Sequence, residues 1–288
     1  MSERKVIIIT GAMSGIGKAM ATDLGAAGHH IVMGCRSLGR GEAAKADIEQ
    51  RAKGPVDLLQ VDVGEPDSVR EFASAVRAKY PKVDVLMNNA GVYLPKRELT
   101  DAGFERMFAI NHLGPFLLTH LLLDPLAGGR VITTSSIGHR FTGFDMDNLQ
   151  AEKSFSAIRQ YGLTKLANIL FTRELDARAA SRGITANCFH PGAVGTEFAQ
   201  DDSSSLLGFG TKIGKIFLRT PHKGGETGVF LATDPAGVAK RGQVLERQEG
   251  AQHLRGRERQ ERSGSLGAQR RLAGHRGLGA AGVTRRCD

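Results

Sequence analysis

Tyr161 and Lys165 stand four residues apart in Tyr161-Gly162-Leu163-Thr164-Lys165, far downstream of a glycine-rich turn, Thr10-Gly11-Ala12-Met13-Ser14-Gly15-Ile16-Gly17. On a helix, positions i and i+4 share a face about 6 Å apart, so the Lys165 ammonium can favour the phenolate of Tyr161. An unperturbed tyrosine titrates near about 10, too high for efficient proton exchange at neutral pH. A fixed positive charge, with a second from an oxidised nicotinamide, would lower that value. Taken alone, such a pair is also a common solvated contact on helix surfaces. With the turn upstream, it points to hydride-transfer chemistry.

The turn has a physical reading of its own. Lys5-Val6-Ile7-Ile8-Ile9 suits a strand buried on both faces, and Lys18-Ala19-Met20-Ala21-Thr22-Asp23-Leu24 begins a helical pattern. Gly11 permits the tight turn, Gly15 lets the backbone approach a pyrophosphate, and Gly17 allows close helix-to-strand packing. The spacing is Gly-x3-Gly-x-Gly and not the common dinucleotide fingerprint.

Cofactor choice is legible at the end of the second strand. An acid there would accept bonds from a ribose 2′-hydroxyl, whereas this chain presents Cys35-Arg36-Ser37 with Arg40 nearby. The planar fork of Arg36 suits a 2′-phosphate, with Ser37 and Arg40 as helpers. NADP(H) is therefore expected over NAD(H).

Further motifs follow in order: Asp62-Val63, Asn88-Asn89-Ala90-Gly91, Asn111, Ser135-Ser136, Tyr161 to Lys165, and Pro191-Gly192 followed by Thr196. With them, the first 246 residues resemble the classical short-chain dehydrogenase/reductase family. Gly34-Cys35-Arg36-Ser37, the long stretch from Ser136 to Tyr161, and Lys165-Leu166-Ala167-Asn168-Ile169-Leu170-Phe171 place the resemblance in its retinol dehydrogenase-like branch. The resemblance implies a cofactor site of Gly11, Ser14, Gly15, Ile16, Gly17, Asp62, Val63, Asn89, Ala90, Gly91, Pro191, Gly192 and Thr196, besides Tyr161 and Lys165. Asp62 would bond the adenine amino group and Asn89–Gly91 would line the ribose. Pro191 and Gly192 would shape the nicotinamide edge, and Thr196 would contact the carboxamide or the pyrophosphate. Ser136, with Ser135 as the alternative serine, would bond the substrate oxygen beside Tyr161. Asn111 would support a water-mediated proton path to Lys165. Asn88 could simply hold neighbouring strands together.

These residues need a scaffold. Apolar runs predict strands near Val6–Ile9, Ile31–Cys35, Leu58–Val61, Val83–Met87, Val131–Thr134, Ala186–Phe189 and Gln243–Leu245, with helices between them. Pro66 suits a first helical turn, and Pro81 stops the same helix after Tyr80. The alternation predicts an α/β, doubly wound parallel sheet (Rossmann fold) in a single domain, with its ligand site at the carboxyl ends of the strands.

At 41% hydrophobic and 24% charged, the 288 residues can bury a large core, which excludes an intrinsically disordered class. Residues 247–288 differ: ten Arg, no Lys and four acids supply +6 of the +9 net charge, without an aromatic residue. That tail is expected to be disordered, with a nucleic-acid-binding arm the weaker reading and a shifted reading frame a third. The +3 left on residues 1–246 gives no reason to expect nucleic acid as a partner. Cys35, Cys188 and Cys287 are an odd number without paired spacing, and no stretch is apolar enough to span a membrane or serve as a leader. A cytoplasmic protein is expected. Cys188 packs in its strand, and His190 has no second metal ligand at a recognisable spacing, so no metal is expected.

The loop from Glu197 to Pro221 carries Phe198, Leu206, Leu207, Phe209, Ile213, Ile216, Phe217 and Leu218. These either cover a pocket for a hydrophobic alcohol, aldehyde or ketone or pack the loop onto the body. A non-catalytic cofactor-binding regulator and an NADP-binding enzyme of another reaction class are the alternatives. Finally, Glu105–Leu123 and Tyr161–Arg178 are expected to form long helices on one side of the sheet with more apolar positions than one core stripe needs. The resemblance implies that such helices pair in a homodimer or homotetramer; a monomer with a lipid-facing or lid-covered surface is the alternative.

Overall fold

Seven short strands assemble into one sheet, whose inner strands are apolar enough to be covered on both faces. They are β1 (Val6–Thr10), β2 (His30–Cys35), β3 (Val56–Gln60), β4 (Val85–Asn88), β5 (Arg130–Thr134), β6 (Thr185–Phe189) and β7 (Val244–Leu245). Their order is β3-β2-β1-β4-β5-β6-β7 and every pairing is parallel. The computed structural model describes residues 3–192, 220–238, 242 and 244–245. Thr196, residues 197–219 of the apolar loop and the tail 247–288 with Cys287 lie outside them.

Among the described residues the α-helices are α1 (Gly15–Ala26), α2 (Leu38–Glu49), α3 (Pro66–Lys79), α4 (Arg106–Phe108), α5 (Gly114–Leu121), α6 (Ala157–Arg178), α7 (Pro221–Thr233) and α8 (Pro235–Val238). Pro66 opens α3 at its first turn, and Tyr80 caps it in an extended conformation just before Pro81. The main core lies between the sheet and the helices α3 and α5, where Ile8, Val32, Phe72, Val76, Leu86, Leu118 and Val131 pack together. This is the doubly wound parallel sheet that the apolar runs predicted. Chain order reverses between β1 and β4, which opens a crevice at their carboxyl ends.

The expected long helix over Glu105–Leu123 is interrupted. Between α4 and α5 the chain makes a π-helical turn, Ala109–Leu113, in which the Gly114 N–H donates to the carbonyl of Ala109, five residues back. The cause is local. Pro115 has no N–H to give the carbonyl of Asn111, and that carbonyl accepts instead from Asn168 Nδ2 on α6 at 3.0 Å. The helix therefore widens where it meets α6. Among the described residues, no helix is long and apolar enough to cross a membrane.

Gly114 sits where the widened helix meets the turn after β3, and a Cβ there would collide with the carbonyl oxygen of Val63. Gly114→Ala should cost about 1–3 kcal/mol of stability through this overpacking, read as a lower midpoint in urea unfolding at unchanged m-value. An unchanged midpoint would show that this packing is slack.

Candidate active site

A cleft of about 370 Å³ runs along the carboxyl ends of the strands, from the glycine turn to Lys165. Its floor is held by Thr10. The Thr10 hydroxyl accepts from the N–H groups of Asn89 at 3.0 Å and Ala90 at 3.1 Å, while Asn89 Nδ2 donates to the Thr10 carbonyl at 3.0 Å. Gly11 and Gly15 adopt φ of 69° and 54°, backbone that other residues adopt only with strain. A Cβ on Gly17 would run into the Gly11 carbonyl and Asn89 Nδ2, so α1 approaches the strand end as closely as backbone allows. Ser14, extended, precedes α1, and the helix N-terminus opens toward the cleft with Ser14, Gly15, Ile16 and Gly17 on its wall.

One end of the cleft is cationic and open. Arg36, Arg40, Asp62 and Val63 line it. The Arg36 guanidinium is 61% exposed and lies 4.0 Å from Asp62 Oδ2, while Asp62 Oδ1 accepts from the Gly64 N–H at 2.9 Å. Ser37 is not on the wall. Its hydroxyl caps α2, accepting from the Arg40 N–H at 3.4 Å, because an N-terminal helical N–H close at hand satisfies it.

The other end is buried. Lys165 is 3% exposed, donates from Nζ to the Thr134 carbonyl at 3.2 Å and stands 5.5 Å from the centre of the Tyr161 ring. A Cβ on Gly138 would come within 3.2 Å of Cδ1 and Cε1 of that ring, close enough to press on it. Tyr93 meets the same ring edge-on at 5.7 Å between centres. Ser136 hydrogen-bonds the Tyr161 phenol, and its Oγ also accepts from the Gly138 N–H at 3.2 Å. Ser135 points away, buried, with its hydroxyl donating to the Lys165 carbonyl at 3.1 Å. Adjacent serines thus have separate surroundings: Ser136 faces the cleft beside Tyr161, and Ser135 braces α6.

Burial governs the acid–base groups. It pushes the Tyr161 phenol above its usual range, and the hydrogen bond from Ser136 only partly opposes it. The expected downward shift is thus not produced by the protein's own groups. Lys165 is buried too: desolvation pushes its ammonium down to about 8, and the neighbouring Cys188 opposes this. Burial likewise pushes the Cys188 thiol up to about 12, which suits a packed side chain and no nucleophile. His190 Nδ1 accepts from the Gly192 N–H at 3.2 Å, a local turn bond beside Pro191.

Asn111 lies outside the cleft wall, fully buried in the π-turn. Its Oδ1 accepts from the Val92 N–H at 2.7 Å, and Nδ2 donates to the Val92 carbonyl at 2.9 Å and to Thr164 Oγ1 at 3.1 Å. Asn111 and Lys165 both crowd Gly91: a Cβ there would lie 3.2 Å from Asn111 Oδ1 and 3.4 Å from Lys165 Nζ. Asn88 points instead to α5, donating to Thr119 Oγ1 at 3.0 Å. The cleft also has walls that the sequence reading passed over, chiefly Val92, Tyr93 and Leu94. Their signal was an aromatic residue between two aliphatics directly after Gly91.

Residues 5–206 match the short chain dehydrogenase family, and the chain belongs to it. Its similarity to the retinol dehydrogenases is close. Mouse retinol dehydrogenase 11 is 39% identical over 232 residues, covering 79% of this chain and 73% of that protein, and human retinol dehydrogenase 12 is 38% identical over the same shares. Among solved structures, an alcohol dehydrogenase from the archaeon Thermococcus sibiricus complexed with 5-hydroxy-NADP is 27% identical, with a TM-score of 0.67 over 85% of this chain and 96% of that one. The chain is therefore an oxidoreductase of the short-chain family, in the branch that the motifs indicated.

The Lys165 ammonium should titrate near about 8 in the isolated protein, charged below that pH and neutral above it. Heteronuclear NMR of lysine side chains, assigned with Lys165→Arg, reads this directly. A value at the ordinary lysine range of about 10.4 would contradict the burial argument.

Proposed function

We propose that the chain is an NADP(H)-dependent oxidoreductase that moves hydride between nicotinamide and the carbonyl or alcohol carbon of a hydrophobic small molecule, with Tyr161 as its acid and base. The observation carrying this reading is convergence: Tyr161, Ser136 and Lys165 meet at the buried end of a cleft whose open end presents Arg36 and Arg40. The cradle fits a dinucleotide, because Gly11, Gly15 and Gly17 leave backbone where any Cβ would intrude or be strained.

When bound, the nicotinamide supplies or accepts the hydride. The Tyr161 hydroxyl gives its proton to the carbonyl oxygen in reduction and takes it back in alcohol oxidation, and Ser136 hydrogen-bonds the same oxygen. A phenol raised by burial holds its proton at neutral pH, as reduction requires. Lys165 places a positive charge beside the phenolate as it forms, in surroundings that screen little. Asn111 fixes Val92 and thereby the wall over Gly91. Tyr93, Leu94 and Val92 give the cleft an apolar side, in keeping with a hydrophobic alcohol, aldehyde or ketone. Arg36 and Arg40 offer the 2′-phosphate its cationic partners; the Thermococcus sibiricus enzyme is likewise one complexed with an NADP derivative.

The same reading includes a second copy of the chain. Phe116 and Leu170 are exposed beside His112 and Phe171, whose rings pack with Phe116 between α5 and α6. This apolar face is the surface that pairs in a homodimer. Cys35 and Cys188 are free and buried, which suits a reducing compartment, the cytoplasm.

NADPH consumption against a panel of hydrophobic aldehydes and ketones tests the proposal. Tyr161→Phe should lower kcat by about 10²–10⁴ while leaving NADPH binding intact. Arg36→Ala should raise the KM for NADPH about tenfold or more, the worth of a charge-assisted phosphate contact, and leave that for NADH unchanged. Turnover absent with every carbonyl despite tight NADPH binding would favour a regulator, and equal efficiency with NADH would remove the case for Arg36.

A further inference from the structure

Helix α6 buries a polar side chain at every fourth position: Gln160, Thr164, Asn168 and Thr172. Four-residue spacing keeps them near one face, and the first three are bonded to the segment that runs from Glu105 into the π-turn. Gln160 Nε2 donates to Glu105 Oε2 at 2.8 Å and to the Leu149 carbonyl at 3.0 Å. Thr164 Oγ1 accepts from Asn111 Nδ2, and Asn168 Nδ2 donates to the Asn111 carbonyl, with Asn168 Oδ1 3.1 Å from His112 Nδ1. The apolar contacts beside this stripe, among Phe108, Leu163 and Ala167, tolerate sliding, because burial of apolar surface has no direction. Hydrogen bonds do not tolerate it.

Each bonded rung lies one residue before a position of the next stripe. Gln160 precedes Tyr161, and Thr164 precedes Lys165. The axial register of α6 therefore sets how far both side chains reach into the cleft. Glu105 is the charged member of this network and the mechanism above has no use for it. It is fully buried, and its carboxylate accepts from the Met107 N–H at 3.0 Å and the Phe108 N–H at 2.8 Å as well as from Gln160. Its own N–H donates to Gln150 Oε1 at 2.7 Å. These donors are neutral, so the carboxylate is held in the interior by hydrogen bonds in fixed directions, an arrangement that specifies geometry at a cost in stability.

We propose that Glu105 is a positioning residue: through Gln160 it fixes the register of α6 against the π-turn and so places the Tyr161 hydroxyl for proton exchange. This rests on Tyr161 being the acid and base. Tyr161→Phe, run in parallel, separates the two readings.

The test is a double-mutant cycle of Glu105→Gln, Gln160→Met and the pair, assayed with NADPH and a hydrophobic aldehyde. Glu105→Gln sets an amide donor against donors, and Gln160→Met removes the tie while leaving the Met107 and Phe108 bonds. Each single variant should lower kcat about 10- to 100-fold, the scale of a misplaced reacting group, and shift the pH profile of kcat. The KM for NADPH should rise far less than kcat falls, because the glycine turn and Arg36 lie on other elements and only Tyr161 and Lys165 of the cofactor site ride on α6. The double variant should be no worse than Glu105→Gln, since both changes break one contact. Wild-type kcat and pH profile with only a lowered unfolding midpoint would overturn the proposal, as would losses in kcat that multiply in the double variant. Should Glu105→Gln fail to fold, Gln160→Met alone decides by the same split between kcat and KM. An inactive Tyr161→Phe beside fully active Glu105→Gln and Gln160→Met would defeat this inference only; a fully active Tyr161→Phe would defeat both.

Discussion

Pro115 has no N–H, and the consequence of that missing donor runs through the whole site. The Asn111 carbonyl turns to Asn168 on α6, the helix opens by one residue into a π-turn, and the Asn111 side chain reaches across to both backbone groups of Val92. One asparagine therefore joins the turn after β4, the broken helix and α6. Gly91, Tyr93 and Lys165 are placed by those three walls. A regular α-helix over the same residues would still leave the Asn111 carbonyl without its N–H partner four residues on, and Asn168 supplies that donor. The irregularity is thus part of how the site is built, as π-turns at functional positions commonly are.

The cleft divides its electrostatic work by depth. At the open end Arg36 keeps its charge in water at 61% exposure, ready to meet an anion without having lost much hydration beforehand. At the closed end Lys165 and Tyr161 are both desolvated, and each is pushed toward its neutral form. At neutral pH the phenol keeps its proton while the ammonium, pushed down only to about 8, keeps its charge 5.5 Å from the Tyr161 ring centre. The Ser136 hydroxyl adds a donor where negative charge develops. Ser135, one residue earlier, shows how a strand end can send one side chain to the core and the next into the site.

Much of this was legible in the sequence. The apolar runs located the strands to within about two residues, because a strand covered on both faces must be apolar throughout. The glycine turn and the Tyr161–Lys165 spacing were legible because backbone clearance and helical periodicity are local properties. The π-turn was not, since the apolar positions from Met107 to Leu122 continue through it and only Gly114-Pro115 mark the break. The burial that raises the Tyr161 phenol was not legible, because depth of burial belongs to the folded chain. That the Ser37 hydroxyl also caps α2, accepting from the Arg40 N–H, belongs to the folded chain and was not legible. Glu105 and Gln160 passed unnoticed because they meet across a sequence separation of 55 residues.

The central claim is that hydride moves between nicotinamide C4 and a substrate carbon beside Tyr161. Mass spectrometry of the alcohol formed from a hydrophobic aldehyde, using NADPH carrying deuterium on one or the other face of C4, measures this directly. The account predicts one deuterium on the carbinol carbon from one face only, none acquired from deuterated solvent, and product from Tyr161→Phe formed at least about a hundredfold more slowly under the same conditions. Deuterium taken from solvent at that carbon, or full transfer by Tyr161→Phe, would contradict it.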